Sequence, residues 1–246
     1  MPSSVTTFPA EPAHGFRGDT PSAVPPARPR GLVVTISREA GARGGTIARK
    51  VGELLGWQVF YQETLDYLAQ DDTARSQFLA DVPEGAKLWA ANQFARLQRE
   101  GKAPTEPDAV AMIELLLAVA GKGDAVIVGR GAGFLLPAAT TVHVRVVAPL
   151  ESRIVYFAQW LRMSRQEAAA EVHARDTRRS NFLNQLLGSD TADPTAYDAV
   201  VNAERLGIEG AAQFIGWAVR TKQMFAEITQ DDAEAAVGIE ELAGRQ

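Results

Sequence analysis

The sequence predicts an α/β fold built on a parallel sheet covered by helices on both faces. Three observations predict it. Five short apolar runs, at 31–36, 57–61, 125–128, 141–147 and 197–202, alternate with stretches of helical periodicity. The runs are near-continuously apolar, as strands buried on both faces require. Glycine- and arginine-bearing segments follow directly after them, at the strand ends where such sheets bind ligands.

Taken in order, Val33, Val34 and Ile36 form the body of the first strand. Gly41, Gly44 and Gly45 then allow tight turns, and a helical pattern opens at Thr46 and runs to Leu55, with Gly56 as its stop. A second strand is expected over 57–61. Residues 63–80 read as helix broken near 71–73, where Asp72 or Thr73 could cap a new start. After Pro83, Leu88, Ala91, Phe94, Ala95 and Leu97 recur at helical spacing, and a very apolar helix is expected over 108–120. Strands follow at Ala125–Val128 and Thr141–Val147, and a helix over 150–162. Ser164 and Glu167 form a capping-box pattern opening a helix to about Leu187. The last strand is expected over 197–202 and the last long helix over 207–229.

Composition bounds the function. At 246 residues, 46% hydrophobic and 22% charged, the chain suits one domain with appendages. Its net charge of −5 argues against a dedicated nucleic-acid binder. The lack of cysteine excludes disulfides, thiolate metal sites and a cysteine nucleophile, and is compatible with a cytoplasmic protein. His14, His143 and His173 are scattered, which argues against a histidine metal site. The longest apolar stretch, 109–120, is too short for a membrane span and contains Glu114. Residues 1–30 carry seven of the thirteen prolines and read as a disordered tail. Residues 231–246 read as an acidic tail.

Three stretches carry chemistry. The first is Val33 to Ala48, a strand, a glycine-rich loop and a helix start. That arrangement gathers free N–H groups and the positive end of a helix dipole at one spot and suits phosphate. Arg38, Arg43, Arg49 and Lys50 crowd it, and Arg43 is the one best placed by sequence to face an anion. The second is 126–131, where Arg130 follows a buried strand; arginine suits bidentate phosphate recognition. The third is the helix bearing Arg162, Arg165, Arg175, Asp176, Arg178 and Arg179. Arg175 and Arg179 share a face, Asp176 and Arg179 could pair across one turn, and neighbouring acids do not balance that face. A mobile lid bringing arginines onto a transferring phosphoryl group is one reading, a solvated helix face the other.

Together these stretches resemble the cytidylate kinase-like family, relatives of the P-loop nucleoside monophosphate kinases. Val34-Thr-Ile-Ser-Arg-Glu-Ala-Gly-Ala-Arg-Gly-Gly-Thr-Ile-Ala is similar to the family's opening strand and loop. Val126-Ile-Val-Gly-Arg-Gly-Ala-Gly-Phe-Leu-Leu-Pro resembles its strand followed by Gly-Arg-Asp, and Asp176-Thr-Arg-Arg179 its Asp-Ser-x-Arg lid motif. The stretch from Tyr197 to Gly210 resembles its last strand and the turn beyond. The resemblance spans roughly 32–217.

It implies a P-loop NTPase-type three-layer α/β/α fold over 31–230, with a five-stranded parallel sheet, a helical insertion at 63–122 and a lid at 162–190. It implies ATP and Mg²⁺ as cofactors and a nucleotide as substrate; charge and hydropathy point to neither nucleic acid nor membrane as partner. Carried over, Gly41, Ala42, Gly44, Gly45 and Thr46 bind phosphate, Arg130, Asp176 and Arg179 bind the acceptor, and Arg175 is a lid arginine. On the phosphotransferase reading, Arg43 and Arg179 are expected to stabilise the γ-phosphoryl charge.

The sequence departs from the pattern. Gly44 stands where the kinase loop has its Lys, Arg43 where it has a glycine, and Gly131 replaces the Asp of Gly-Arg-Asp. Gln62 stands where relatives often have Asp. Losing an electrostatic contact such as the Lys is worth roughly 3–4 kcal/mol, on the order of 10²–10³ in rate. Two readings follow: an ATP-dependent phosphotransferase for a nucleoside monophosphate or similar acceptor, or a nucleotide-binding sensor on a kinase scaffold. A partner-binding module using the proline-rich tail is a third.

Overall fold

The structure, a computed structural model, describes residues 31–188 and 190–243, with side chains described to residue 225 except those of 186 and 187. The tail expected over 1–30 lies outside the described residues.

Five strands form one parallel sheet: β1 (Val33–Arg38), β2 (Gln58–Phe60), β3 (Ala125–Val128), β4 (Thr141–Val147) and β5 (Ala199–Asn202), in the order β2-β3-β1-β4-β5. Every neighbouring pair is parallel. The helices supply the crossovers such pairs require. The α/β fold read from the run pattern is therefore the fold observed.

The two faces of the sheet are sorted by the period-2 alternation of strand side chains. Val34 and Ile36 of β1 pack with Val126, Val128, Val142 and Val144 against α1 (Gly44–Leu55) and α9 (Ala203–Ala243), through Ile47, Val51, Ile208, Ala211, Ile215 and Val219. Val33, Ala125 and Ile127 face the other way, onto α5 (Pro107–Lys122). There Ile113, Leu115, Leu116 and Leu117 pack with Trp89 and Leu97 of α4 (Glu84–Arg99) and Leu65 of α2 (Gln62–Gln70). Each such buried side chain stabilises the fold by about 1.5–3 kcal/mol. The result is helices above and below one sheet.

Local signals explain most boundaries. Gly56 closes α1 in the left-handed conformation, its N–H donating back into the last turn through the Gly52 carbonyl. Ser164 and Glu167 make both bonds of the capping box that opens α8 (Arg165–Leu187). Several boundaries differ from expectation, three helix starts among them. Helix α1 opens at Gly44 rather than Thr46, with Arg43 as a left-handed N-cap. The cap of α3 (Asp72–Ala80) is Asp71, one residue earlier than expected, its carboxylate accepting from Ala74 N–H. And α9 begins at Ala203, straight after β5, with a non-helical break at Gly207 (φ 69°, ψ 176°), the residue where the last helix was expected to start. Beyond Asp231, where an acidic tail was expected, the backbone of α9 stays helical to Ala243.

A third cluster joins α7 (Leu150–Leu161) to α8 through Ile154, Phe157, Ala168 and Val172, with Ala40 of the loop among them. That contact lays α8 across the carboxyl ends of the strands. No helix among the described residues is long and apolar enough to cross a membrane.

Candidate functional site

The loop between β1 and α1 rides on α7. A Cβ on Gly41 would lie 2.7 Å from the Arg153 carbonyl oxygen, and Gly41 has φ 80°, so only glycine fits there. Arg153, from the first turns of α7, is buried and ties the loop down. Its Nε donates to the Ala148 carbonyl (3.0 Å), and its Nη1 to the Ala40 carbonyl (3.1 Å) and to Asp176 Oδ2 (2.6 Å). Glu39 lies 3.4 Å from the same guanidinium and accepts from Ala148 N–H. Asp176 Oδ1 accepts from Ala40 N–H at 2.7 Å. Both oxygens of Asp176, expected on an acceptor ligand, are thus engaged by the protein. Asp176 fastens α8 to the loop.

Above the strand ends lies a cavity of about 700 Å³ whose wall includes Arg38, Arg130, Arg145, Arg175, Arg178 and Arg179. Glu39, Glu63 and Asp176 are the acids in its lining. Most of these arginines are already paired. Arg130, held in the left-handed conformation after β3, bonds Asp66. Arg145 faces Glu39 at 3.6 Å. Arg175 and Arg178 share Glu171, and the Arg175 guanidinium sits 5.0 Å from the Phe157 ring centre. The expectation of an unbalanced arginine face is corrected by Glu171, one turn before Arg175, and by Glu151, which pairs with Arg165.

Arg38 and Arg179 differ. Arg38 Nη2 donates to Gln62 Oε1 (3.3 Å), a neutral partner. Arg179 donates to the Arg38 carbonyl (3.4 Å) and reaches Asp176 only at 3.9 Å. Burial and then the adjacent Arg179 push the Arg38 guanidinium down to about 10; Glu63 opposes them, and Arg130 adds a smaller push in the same direction as burial. Burial also lowers Arg179. Two guanidiniums held this close repel each other, and an anion between them would be favoured. By sequence Arg38 is one of several cations near the loop; β1 carries it into the wall of the cavity.

Arg43 lies elsewhere. Its guanidinium sits 5.5 Å from the ring centre of Tyr156. It lines a second pocket of about 380 Å³ with Gly41, Ala42, Tyr156 and Ala203. The structure therefore brings Arg130, Arg175, Asp176 and Arg179 together around the larger cavity and places Arg43 with Gly41 and Ala42 on the smaller one. Arg43 does not join Arg179. Gly44, Gly45 and Thr46 stand in the lining of neither pocket; the first N–H groups of α1, on Gly44 and Gly45, have no partner within the helix.

Behind Ser37 of the cavity wall stands His143, buried beneath Phe134 and Tyr197. Its Nδ1 lies 2.9 Å from the Ala196 carbonyl and its Nε2 3.1 Å from Ser37 Oγ. A carbonyl can only accept, so Nδ1 carries the proton and Ser37 donates to Nε2. Burial pushes the imidazole down to about 4 from an ordinary 6.5. Between those values the unfolded chain takes up a proton that the folded one refuses, so stability falls as pH drops through the window. The loss is expected to approach about 3 kcal/mol by pH 4. Urea unfolding between pH 7.5 and 4.5 checks it: His143→Gln should flatten the slope over that range, and an unchanged slope would assign it to other groups.

With this geometry in view, the relatives are informative. Residues 33–205 match the model of the cytidylate kinase-like family. The chain is 27% identical over 185 residues to the cytidylate kinase of Ignicoccus hospitalis, covering 74% of this chain and 96% of that one. Among solved structures it is similar to an uncharacterized protein from Eubacterium ventriosum, with a TM-score of 0.55 and 17% identity over 78% of this chain and 99% of that one. A shikimate kinase from Bacteroides thetaiotaomicron superposes with a TM-score of 0.45 at 15% identity, over 77% of this chain and 98% of that one. The match over 33–205 takes in the sheet, the loop and all the cavity arginines, and the chain belongs to the cytidylate kinase-like family.

Proposed function

We propose that the protein transfers the γ-phosphoryl group of ATP to a nucleoside monophosphate or a similar small phosphate acceptor. The observation that carries this reading is the arginine-lined cavity at the strand ends, whose wall takes in Ser37, Arg38 and Glu39 where the chain enters the glycine loop. The acceptor phosphate sits in the larger cavity against Arg130 and Arg179, with Arg175 at the α8 wall. The donor nucleoside occupies the smaller pocket, where Tyr156 offers a ring and Arg43 a cation. Gly41 and Ala42 line the smaller pocket, and on this reading they bind the transferring phosphate together with Gly44, Gly45 and Thr46 through the free N–H groups at the start of α1.

The donor set suits a magnesium nucleotide. Mg²⁺ in such sites takes one or two protein oxygens and draws the rest from phosphates and water. The Thr46 hydroxyl, in the first turn of α1, and the Glu63 carboxylate, the cavity acid not engaged by Arg153 or the loop, would be the oxygens to hold it. A bound magnesium ion would supply charge neutralisation on the phosphates. The chain's own residues orient the two phosphates and oppose their repulsion with guanidinium charge. Asp176 acts through the loop, holding α8 over the reactants by its bonds to Ala40 and Arg153. In this reading 162–190 is a lid drawn in its closed position, and 63–122 the insertion bordering the acceptor.

The loop's lack of Lys favours a second reading, nucleotide binding without transfer. A thermal-shift panel of nucleoside mono-, di- and triphosphates with Mg²⁺ tests binding, which both readings require. A ligand at 100 times its Kd adds about 2.7 kcal/mol of stability. Stabilisation by a triphosphate and by at least one monophosphate is expected; no shift with any nucleotide would refute both readings.

A further inference from the structure

We infer that Arg38 supplies the loop's phosphate-facing cation, entering the site from the end of β1 instead of from the start of α1. The inference rests on the phosphotransferase reading and names the residue that makes its Lys-less loop workable.

Three observations lead to it. The first is the path of the side chain. A Cβ built on Gly44 would lie 2.7 Å from Arg38 Cβ and 3.0 Å from its Cγ. The stem of Arg38 therefore crosses the Cα of Gly44, and position 44 cannot carry a lysine while Arg38 lies there.

The second is the room made for the head. A Cβ on Gly129 would lie 2.2 Å from Arg38 Nη1. Gly129, with φ 87°, turns the chain out of β3 and leaves the space the guanidinium fills. Gln62 Oε1 then receives Nη2 at 3.3 Å. A glutamine orients the guanidinium without neutralising it, whereas a carboxylate at that position would.

The third is the charge left over. Arg130, Arg145, Arg175 and Arg178 each have a carboxylate within 3.6 Å. Arg38 has none within 4 Å among the described residues, and Arg179 has one only at 3.9 Å, already committed to Ala40 and Arg153. Arg38 and Arg179 are held side by side, Arg179 bonded to the Arg38 carbonyl. A phosphate oxygen pair between them would relieve their mutual repulsion and accept from both planar heads. Arg43, the other arginine near the missing lysine, faces the smaller pocket and cannot serve this place.

The test compares Arg38→Met, Gly44→Lys and the double variant Arg38→Gly/Gly44→Lys with the wild type, reading inorganic pyrophosphate and ATP–Mg²⁺ binding by calorimetry and transfer to nucleoside monophosphates by product formation. Arg38→Met keeps the stem that packs on Gly44, so its fold serves as the control, verified by circular dichroism and thermal melting. It should bind pyrophosphate at least tenfold more weakly and, where the wild type transfers phosphate, do so about 10²–10³-fold more slowly. Gly44→Lys alone should melt well below the wild type, because the two side chains collide. The double variant should recover pyrophosphate affinity to within a few-fold of wild type. Arg38→Met with wild-type pyrophosphate affinity, or a double variant no better than Arg38→Met, would overturn the assignment. Wild-type protein that binds pyrophosphate through Arg38 but transfers nothing would sustain the assignment while refuting phosphotransfer.

Discussion

Replacing Arg153 with alanine is expected to lower folding stability by about 3 kcal/mol or more. The side chain is buried, and its guanidinium is shared among the Ala148 and Ala40 carbonyls, Asp176 and Glu39. Removing one member of a buried ionic cluster leaves the others as uncompensated charges, which typically costs 3–5 kcal/mol. Asp176 and Glu39 keep part of their surface in water, at 31% and 24% side-chain exposure, so the lower end of that range applies. For a domain of this size, such a loss lowers Tm by roughly 6–12 °C. Nucleotide affinity should fall with it, since the same residue joins the loop to α8. Thermal unfolding of Arg153→Ala with and without ATP–Mg²⁺ measures both. A melting point within 2 °C of wild type would show that the loop stands without this anchor. Asp176→Asn tests the same connection from the α8 side and should be milder, because an amide oxygen can still accept from Ala40 N–H.

The second large effect is on rate. Arg179 reaches into the larger cavity from α8 and makes no close ion pair that would hold it there. On the proposed function its charge meets the transferring phosphoryl group, so Arg179→Met should slow transfer on the order of 10²–10³-fold with little change in Tm. Arg179→Lys should recover only part of this, because a single ammonium cannot reproduce the two parallel bonds of a guanidinium. Arg178→Met makes the contrast: its side chain is 64% exposed and shares Glu171 with Arg175, so about a threefold change or less is expected. Steady-state rates for the three variants separate these outcomes.

What the sequence made legible was governed by local interactions. The apolar run of β1, the Gly56 stop and the capping box at Ser164 all rest on residues a few positions apart, and all are where the pattern puts them. The Glu171–Arg175 pair also obeys a four-residue spacing and was there to be read. The hidden part depended on distant chain segments meeting. Arg153 and Ala40 are 113 residues apart, and Ser37 and His143 106. Spacing could not show that α7 would slide beneath the loop and turn Asp176 into a fastener. Nor could it show which way consecutive residues at the end of β1 would point. Ser37 meets His143, Arg38 crosses Gly44 toward Gly129, and Glu39 meets Arg153, a threefold divergence set by the sheet's neighbours. Arg43 looked like the substitute for the missing lysine because it is adjacent in sequence. Its left-handed backbone, needed to start α1, turns it toward Tyr156 instead.

The most direct test of phosphoryl transfer is a single-turnover reaction with γ-labelled ATP, Mg²⁺ and each nucleoside monophosphate in turn. Enzyme in excess over ATP removes product release from the measurement. The account predicts label appearing in a nucleoside diphosphate with at least one acceptor, and its formation falling at least 10²-fold in Arg179→Met. Protein that binds ATP–Mg²⁺ and a monophosphate together, yet yields no labelled diphosphate with any acceptor, would contradict it.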